Sequence, residues 1–202
     1  MKKLIIALAL VAAPLAAQDF EVGILVGQNT YRSQTIASNE YKPESKTVAA
    51  GRFGYAIVDF GPALFQLTAT YQPKADTPVD KNGIDNGSKY GHEFWGVGAM
   101  FNFKAFFEVG AGVEYRSEKL TATNWGGPDV STTYGRPWAR AHVGLSFPTP
   151  LVKPFVGVDI AAPLVSESAP ANYGLGYGAD QEKTLKSHAP NFQVGIYGGI
   201  RF

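Results

Sequence analysis

The sequence predicts an all-β chain, an eight-stranded antiparallel transmembrane β-barrel with short periplasmic turns and long extracellular loops. Three observations carry that prediction. Eight segments alternate apolar and mixed residues with period two, the breaks between them alternate short and long, and the final segment, NFQVGIYGGIRF, ends on an aromatic. Composition agrees: 23 glycines and 13% aromatics accompany only 17% charged residues, against roughly 25% in an ordinary soluble domain. At 202 residues the chain is the size of one large all-β domain, and a formal charge of +1 argues against a nucleic-acid partner.

Taken in order, the chain opens with MKKLIIALALVAAPLAA, two lysines before an apolar run and small residues up to Ala17. That is the layout of a secretory signal peptide over residues 1–17, with 18–202 as the barrel. The run is shorter than the roughly 20 apolar residues a membrane helix needs. With no cysteine anywhere, the exported chain has neither disulfides nor a lipid-bearing thiol.

Strands are expected at 19–30, 47–58, 63–72, 90–102, 105–116, 134–147, 153–164 and 191–202. Their apolar rows include Phe20, Val22, Ile24 and Val26 in the first and Val156, Val158 and Ile160 in the seventh. Each crosses at about the 9–11 residues of a tilted membrane strand. Short breaks fall at DFGP (59–62), NFK (102–104) and PTPLV (148–152), and long polar ones at 31–46, 73–89, 117–133 and 165–190. An even strand count returns both ends to the short-turn side, with no periplasmic domain expected after the last strand. Pro137 and Pro163 are expected near the outer rim, where a missing amide donor does least harm.

These features together resemble the small OmpA/OmpX-type outer-membrane barrels, over essentially all of 18–202. The resemblance implies an outer-membrane location among lipid and lipopolysaccharide. It also implies that the barrel assembly machinery reads the closing strand, through Phe192, Val194, Ile196, Ile200 and Phe202.

The main alternative is an exported soluble barrel with the apolar row inside. The mixed row argues against it, because its charges are arginines set among glycines while the lysines after the leader sit in loops or at strand ends. Arginine's planar fork suits carboxylate pairing in a confined space. Aromatics also gather at segment ends: Phe65, Phe101 and Phe107 near the short turns, Tyr71, Trp95 and Tyr115 near the long loops. The expected lumen network is Glu21, Arg52, Glu108, Glu114, Arg136, Arg140, His142, Asp159 and Arg201. Register arithmetic puts Glu21 beside Arg201, Asp159 beside Arg140 or His142, Glu108 near His142 and Glu114 near Arg136.

Such a network reads first as structural filling, since eight strands leave room for little more than side chains. A narrow passive pore is the alternative. A lipid-modifying enzyme is disfavoured, because His92, His142 and His188 show no serine and carboxylate at workable spacing; a carrier of apolar molecules would need an apolar lining. No metal or cofactor motif is present. The remaining role is surface interaction, with a ligand reached through loops 117–133 and 165–190, where Trp125, Tyr173 and Tyr177 lie in polar, glycine-rich surroundings.

Overall fold

Alternation on this scale becomes paired strand, and pairing all the way round becomes a closed wall. The computed structural model describes residues 20–36, 38–124, 129–147, 149, 151–168 and 179–202; the expected signal peptide and the loop aromatics Trp125, Tyr173 and Tyr177 lie outside them. In chain order the elements are β1 (Phe20–Thr30), β2 (Gln34–Ile36), β3 (Asn39–Pro43), β4 (Lys46–Asp59), β5 (Ala63–Lys81), β6 (Ile84–Lys104), β7 (Phe107–Thr123), β8 (Val130–Ser146), β9 (Lys153–Pro163), α1 (Ala179–Ser187) and β10 (Phe192–Arg201).

Eight of these strands form the barrel wall in the order β1-β4-β5-β6-β7-β8-β9-β10, all antiparallel. The ring closes through β1 and β10, from Glu21↔Arg201 to Thr30↔Phe192. Phe20 and Phe202 extend that seam by exchanging both backbone hydrogen bonds, at 3.1 and 3.0 Å. Closure leaves no open edge along the crossing, the condition for strands in hydrocarbon.

The two faces of the wall are sorted by chemistry. Val22, Ile24, Val26, Phe53, Tyr55, Val156, Val158 and Ile160 stand exposed on the outside, while Glu21, Arg52, Glu108, Glu114, Arg140 and Asp159 are buried inside. A water-soluble barrel has the opposite arrangement. Outward Tyr71 lies directly opposite Trp95, and Tyr115 follows on the next strand, so the expected outer aromatic girdle spans β5, β6 and β7.

Beyond that girdle the structure departs from the expected loops. The break expected at 73–89 is a continuation of β5 and β6 to the two-residue turn Asn82-Gly83, whose φ values of 53° and 77° are those of a type I′ hairpin. Asn-Gly is the sequence signal for that turn. The break at 117–133 shrinks to 124–129, because β7 runs to Thr123 and β8 starts at Val130. Residues 31–46 hold the β2–β3 hairpin, which pairs with the extended β5 through Tyr41↔Lys81. The last long break contains α1.

Pro137 lies inside β8 rather than at its end, yet at the level where β9 stops: Trp138 pairs with Pro163, and Leu164 N donates to Pro137 O at 2.9 Å. Because that carbonyl faces β9, so does the proline nitrogen, just where the neighbouring strand has run out. The missing donor therefore falls at the last step of the β8–β9 ladder, opposite Leu164, which already lies beyond β9.

Val158 sits mid-β9 on the outward row. Val158→Arg should destabilise the barrel by about 2–4 kcal/mol in urea titrations from phospholipid vesicles. An unchanged midpoint would mean that this stripe does not meet hydrocarbon.

Candidate functional site

The inward rows of the wall converge on a lumen filled by charged side chains. Among the described residues five buried arginines (Arg52, Arg116, Arg136, Arg140, Arg201) meet five buried carboxylates (Glu21, Glu108, Glu114, Glu118, Asp159). The formal charge of this set is zero.

At the short-turn end Arg201 Nε donates to Glu21 at 2.6 Å and its Nη1 to Glu108 at 2.8 Å, while the Tyr197 hydroxyl donates to Glu21 at 2.5 Å. Gly23 makes room for that tyrosine, since a Cβ there would sit 2.5 Å from the ring. Higher up, Asp159 accepts from Arg52 and Arg140, each at 2.8 Å, and Arg140 reaches on to Glu114 at 2.8 Å. Glu114 also accepts from Arg116 Nε at 2.5 Å and from the Thr70 hydroxyl at 2.8 Å.

The upper lumen is built around Arg116 and Glu118. The Arg116 guanidinium lies between the Phe94 and Trp138 rings, 4.2 and 4.1 Å from their centroids. Glu118 accepts both forks of Arg136, at 2.7 and 2.9 Å, the Trp138 indole N–H at 2.7 Å, and meets His92 Nε2 at 3.0 Å. Asn29, Gln72 and Gln193 join His92 and Arg116 in one amide cluster. Trp138 is fully buried in the middle of this packing.

All nine residues expected in the lumen are buried there. Glu108 lies near His142 on one cavity, as expected, although it bonds Arg201 across the lumen; one expected neighbour is replaced, since Glu114 holds Arg116 and Arg140 instead of Arg136, which goes to Glu118. Ladder arithmetic counts neighbours on adjacent strands, whereas a guanidinium is long enough to cross the barrel. Glu118 itself had been placed in a loop. Its segment, Ser117–Thr123, does alternate, but with Leu120 and Ala122 inward and Lys119 outward, the inverse of the pattern below it. His92 and His188 are both buried.

Above Glu118 the interior turns apolar. Tyr31, Val79, Tyr90, Leu120, Ala122 and Tyr134 form a cup that receives Leu185 and Ala189 from the last connection. Polar ties hold α1 in place as a cork: Tyr90 OH to Leu185 O at 3.0 Å, Gln34 Nε2 to Ser187 O at 3.0 Å, and Arg136 Nη2 to Pro190 O at 2.6 Å. His188 is fully buried beneath the cork, with Nδ1 2.9 Å from Thr184 O, and burial pushes its pKa down from 6.5 to about 4. Ser187 Oγ stands 3.4 Å from the same Nδ1 and donates to Thr184 O, so the pair does not form a nucleophile and base. Among the described residues no group of three His, Cys, Asp or Glu is arranged to hold a metal.

The residues named for the closing strand lie on its outer side: Phe192, Ile196 and Ile200 are exposed, Val194 and Phe202 are half-buried, and Phe202 stacks on Phe20 at 6.3 Å. No protein-family model matches the chain, and no curated protein matches it in sequence. Among solved structures it is similar to Ail, the attachment invasion locus protein of Yersinia pestis, at 11% identity over 91% of this chain and 98% of that one, with a TM-score of 0.43. At that score the likeness carries no weight, and the barrel stands on its own strand pairing.

Glu118→Gln removes the charge that Arg136 faces while leaving the arginine buried, and should cost about 3–5 kcal/mol in urea titration. Breaking the exposed Lys119–Glu93 pair with Lys119→Gln should cost about 1 kcal/mol at most. Equal effects would show that the lumen pairs are not shielded from solvent.

A second expectation concerns pH. His188 is neutral when buried, so the corked state loses nothing above pH 6.5, weakens as pH falls towards 4, and levels off below that. The full loss is about 3 kcal/mol. Amide exchange in α1 should accelerate across that window, and His188→Gln should flatten the dependence.

Proposed function

We propose that this chain is an outer-membrane barrel with a sealed lumen, non-enzymatic, whose work is done by the rigid head it raises outside the membrane. The observation that carries this reading is the contrast between the two ends. Four strands, β5 to β8, continue past the aromatic girdle and are joined by β2, β3 and α1, while among the described residues the short-turn end has only tight connections. A chain that only had to fill a hole in the bilayer has no need of that extension. Its outer surface is polar and its inner surface is packed, the construction of a stable display platform.

On this reading the outward face of the wall sits in outer-membrane lipid and lipopolysaccharide. The closing strand, through Phe192, Val194, Ile196, Ile200 and Phe202, is the segment the assembly machinery reads. The lumen charges serve structure: pairing neutralises them, and the layer of Arg116, Trp138 and Arg136 fills the bore. The passive pore, the other reading of such a lumen, has no observation in its favour.

Two measurements test the proposal. The folded protein in a planar bilayer should pass no more current than the bare membrane, and discrete conductance steps would restore the pore. Cells carrying the chain should gain adhesion to protein-coated surfaces, and replacing residues 74–91 with a two-residue Asn-Gly turn should abolish the gain while the barrel still assembles. Equal adhesion from the shortened chain would remove the head from the function.

A further inference from the structure

The lower lumen is tied together by bonds that cross it. Arg52 on β4 reaches Asp159 on β9 at 2.8 Å, and Arg201 on β10 reaches Glu108 on β7 at 2.8 Å. Each tie joins strands three places apart around the ring. Thr68 on β5 and His142 on β8 are related in the same way, and both line one cavity of about 10 Å³ between them. No direct bond joins them: Thr68 Oγ1 and both His142 ring nitrogens are buried without a protein partner.

The histidine ring is closely packed: it uses the room left by Gly157, where a Cβ would sit 2.7 Å from its Cε1, and it meets Tyr197 edge-on at 5.8 Å between centroids. Burying a hydroxyl and an imidazole with nothing to bond is costly, and native interiors rarely leave such groups unmet. A cavity of this size holds about one water, and water satisfies such sites when two or more polar groups converge on it.

The charge balance selects the guest. The charged groups in the lining already have partners, Glu21 and Glu108 on Arg201 and Arg52 on Asp159, so an ion of either sign would meet no uncompensated charge. The unspent groups are the Thr68 hydroxyl, the His142 imidazole and the Arg52 Nε–H, whose guanidinium charge Asp159 already balances, so what they offer a guest is hydrogen bonds of both kinds and no net charge. We propose that this cavity is a binding site for one small neutral hydrogen-bonding molecule, water, which bridges Thr68 to His142 and supplies the third tie across the lower lumen. Gln66 and Asn102, bonded to each other at 2.7 Å, complete the polar wall beside it.

The test is a double-mutant cycle on the full chain folded into phospholipid vesicles, read by urea midpoint. Thr68→Val and His142→Phe should each lower the midpoint, and the double variant should lose less than the two losses combined, because one water serves both. Thr68→Ser keeps the hydroxyl and should stay nearest the parent. A raised midpoint for Thr68→Val would mean a dry cavity relieved of an orphan hydroxyl, and additive losses would mean no shared molecule; either overturns the proposal. Should the variants fail to fold, the parent decides: a magnetisation-transfer peak between a His142 ring proton and a long-lived water supports the site, and its absence sinks it.

Discussion

The structure is organised by a change of solvent partway along its own strands. Up to the level of Tyr71, Trp95 and Tyr115 the outside of the wall is apolar and the inside charged; above it, Lys119 and Thr121 point out while Leu120 and Ala122 point in. Along β7 the period of two runs unbroken through that level. What inverts is which face is oily, because hydrocarbon lies outside the lower wall and water outside the upper one. One continuous β7 therefore obeys both rules of burial in turn.

That inversion explains which parts were legible from sequence. All eight crossing strands, the closing seam and the nine lumen residues follow from a pattern with apolar residues outward. The upper ends of β5, β6, β7 and β8 fell in expected loops because segments such as SEKLTAT look polar when only an outward oily row counts as strand. The Asn82-Gly83 turn was a local signal strong enough to reveal the β5–β6 hairpin on its own. Glu118 could not be placed in the network until its strand was, and with it went the partner of Arg136. The contacts of α1 were beyond reach for another reason. A helix with one inserted leucine has no periodic apolar face, and its seat is built from residues of five different strands and their connections.

Within the lumen, equal numbers of arginines and carboxylates do more than cancel. Removing any one partner leaves a buried charge, so the cost of disruption far exceeds the net gain from forming the pair. Such a network is poor evidence for extra stability but strong evidence for a fixed arrangement. Stacking reinforces it: Arg116 and Arg136 are both held against Trp138, which lysine's compact ammonium could not achieve with the same bidentate geometry.

The cork and the lumen network are separate layers held by different forces. Below, ion pairs and a buried indole pack the interior of a wall whose strands are paired all the way round. Above, a nine-residue helix is held by a leucine, an alanine and a few hydrogen bonds to its backbone carbonyls. So small a contact belongs to the low-stability end of any fold, where local opening precedes global unfolding. Beneath α1 lies a cup lined by Tyr31, Tyr90 and Tyr134, and below that Arg136 and Trp138 are bonded through Glu118. The helix and its cup therefore belong to the outer head, while the charge network below stands on its own bonds, so the two are separate structures carried on one wall.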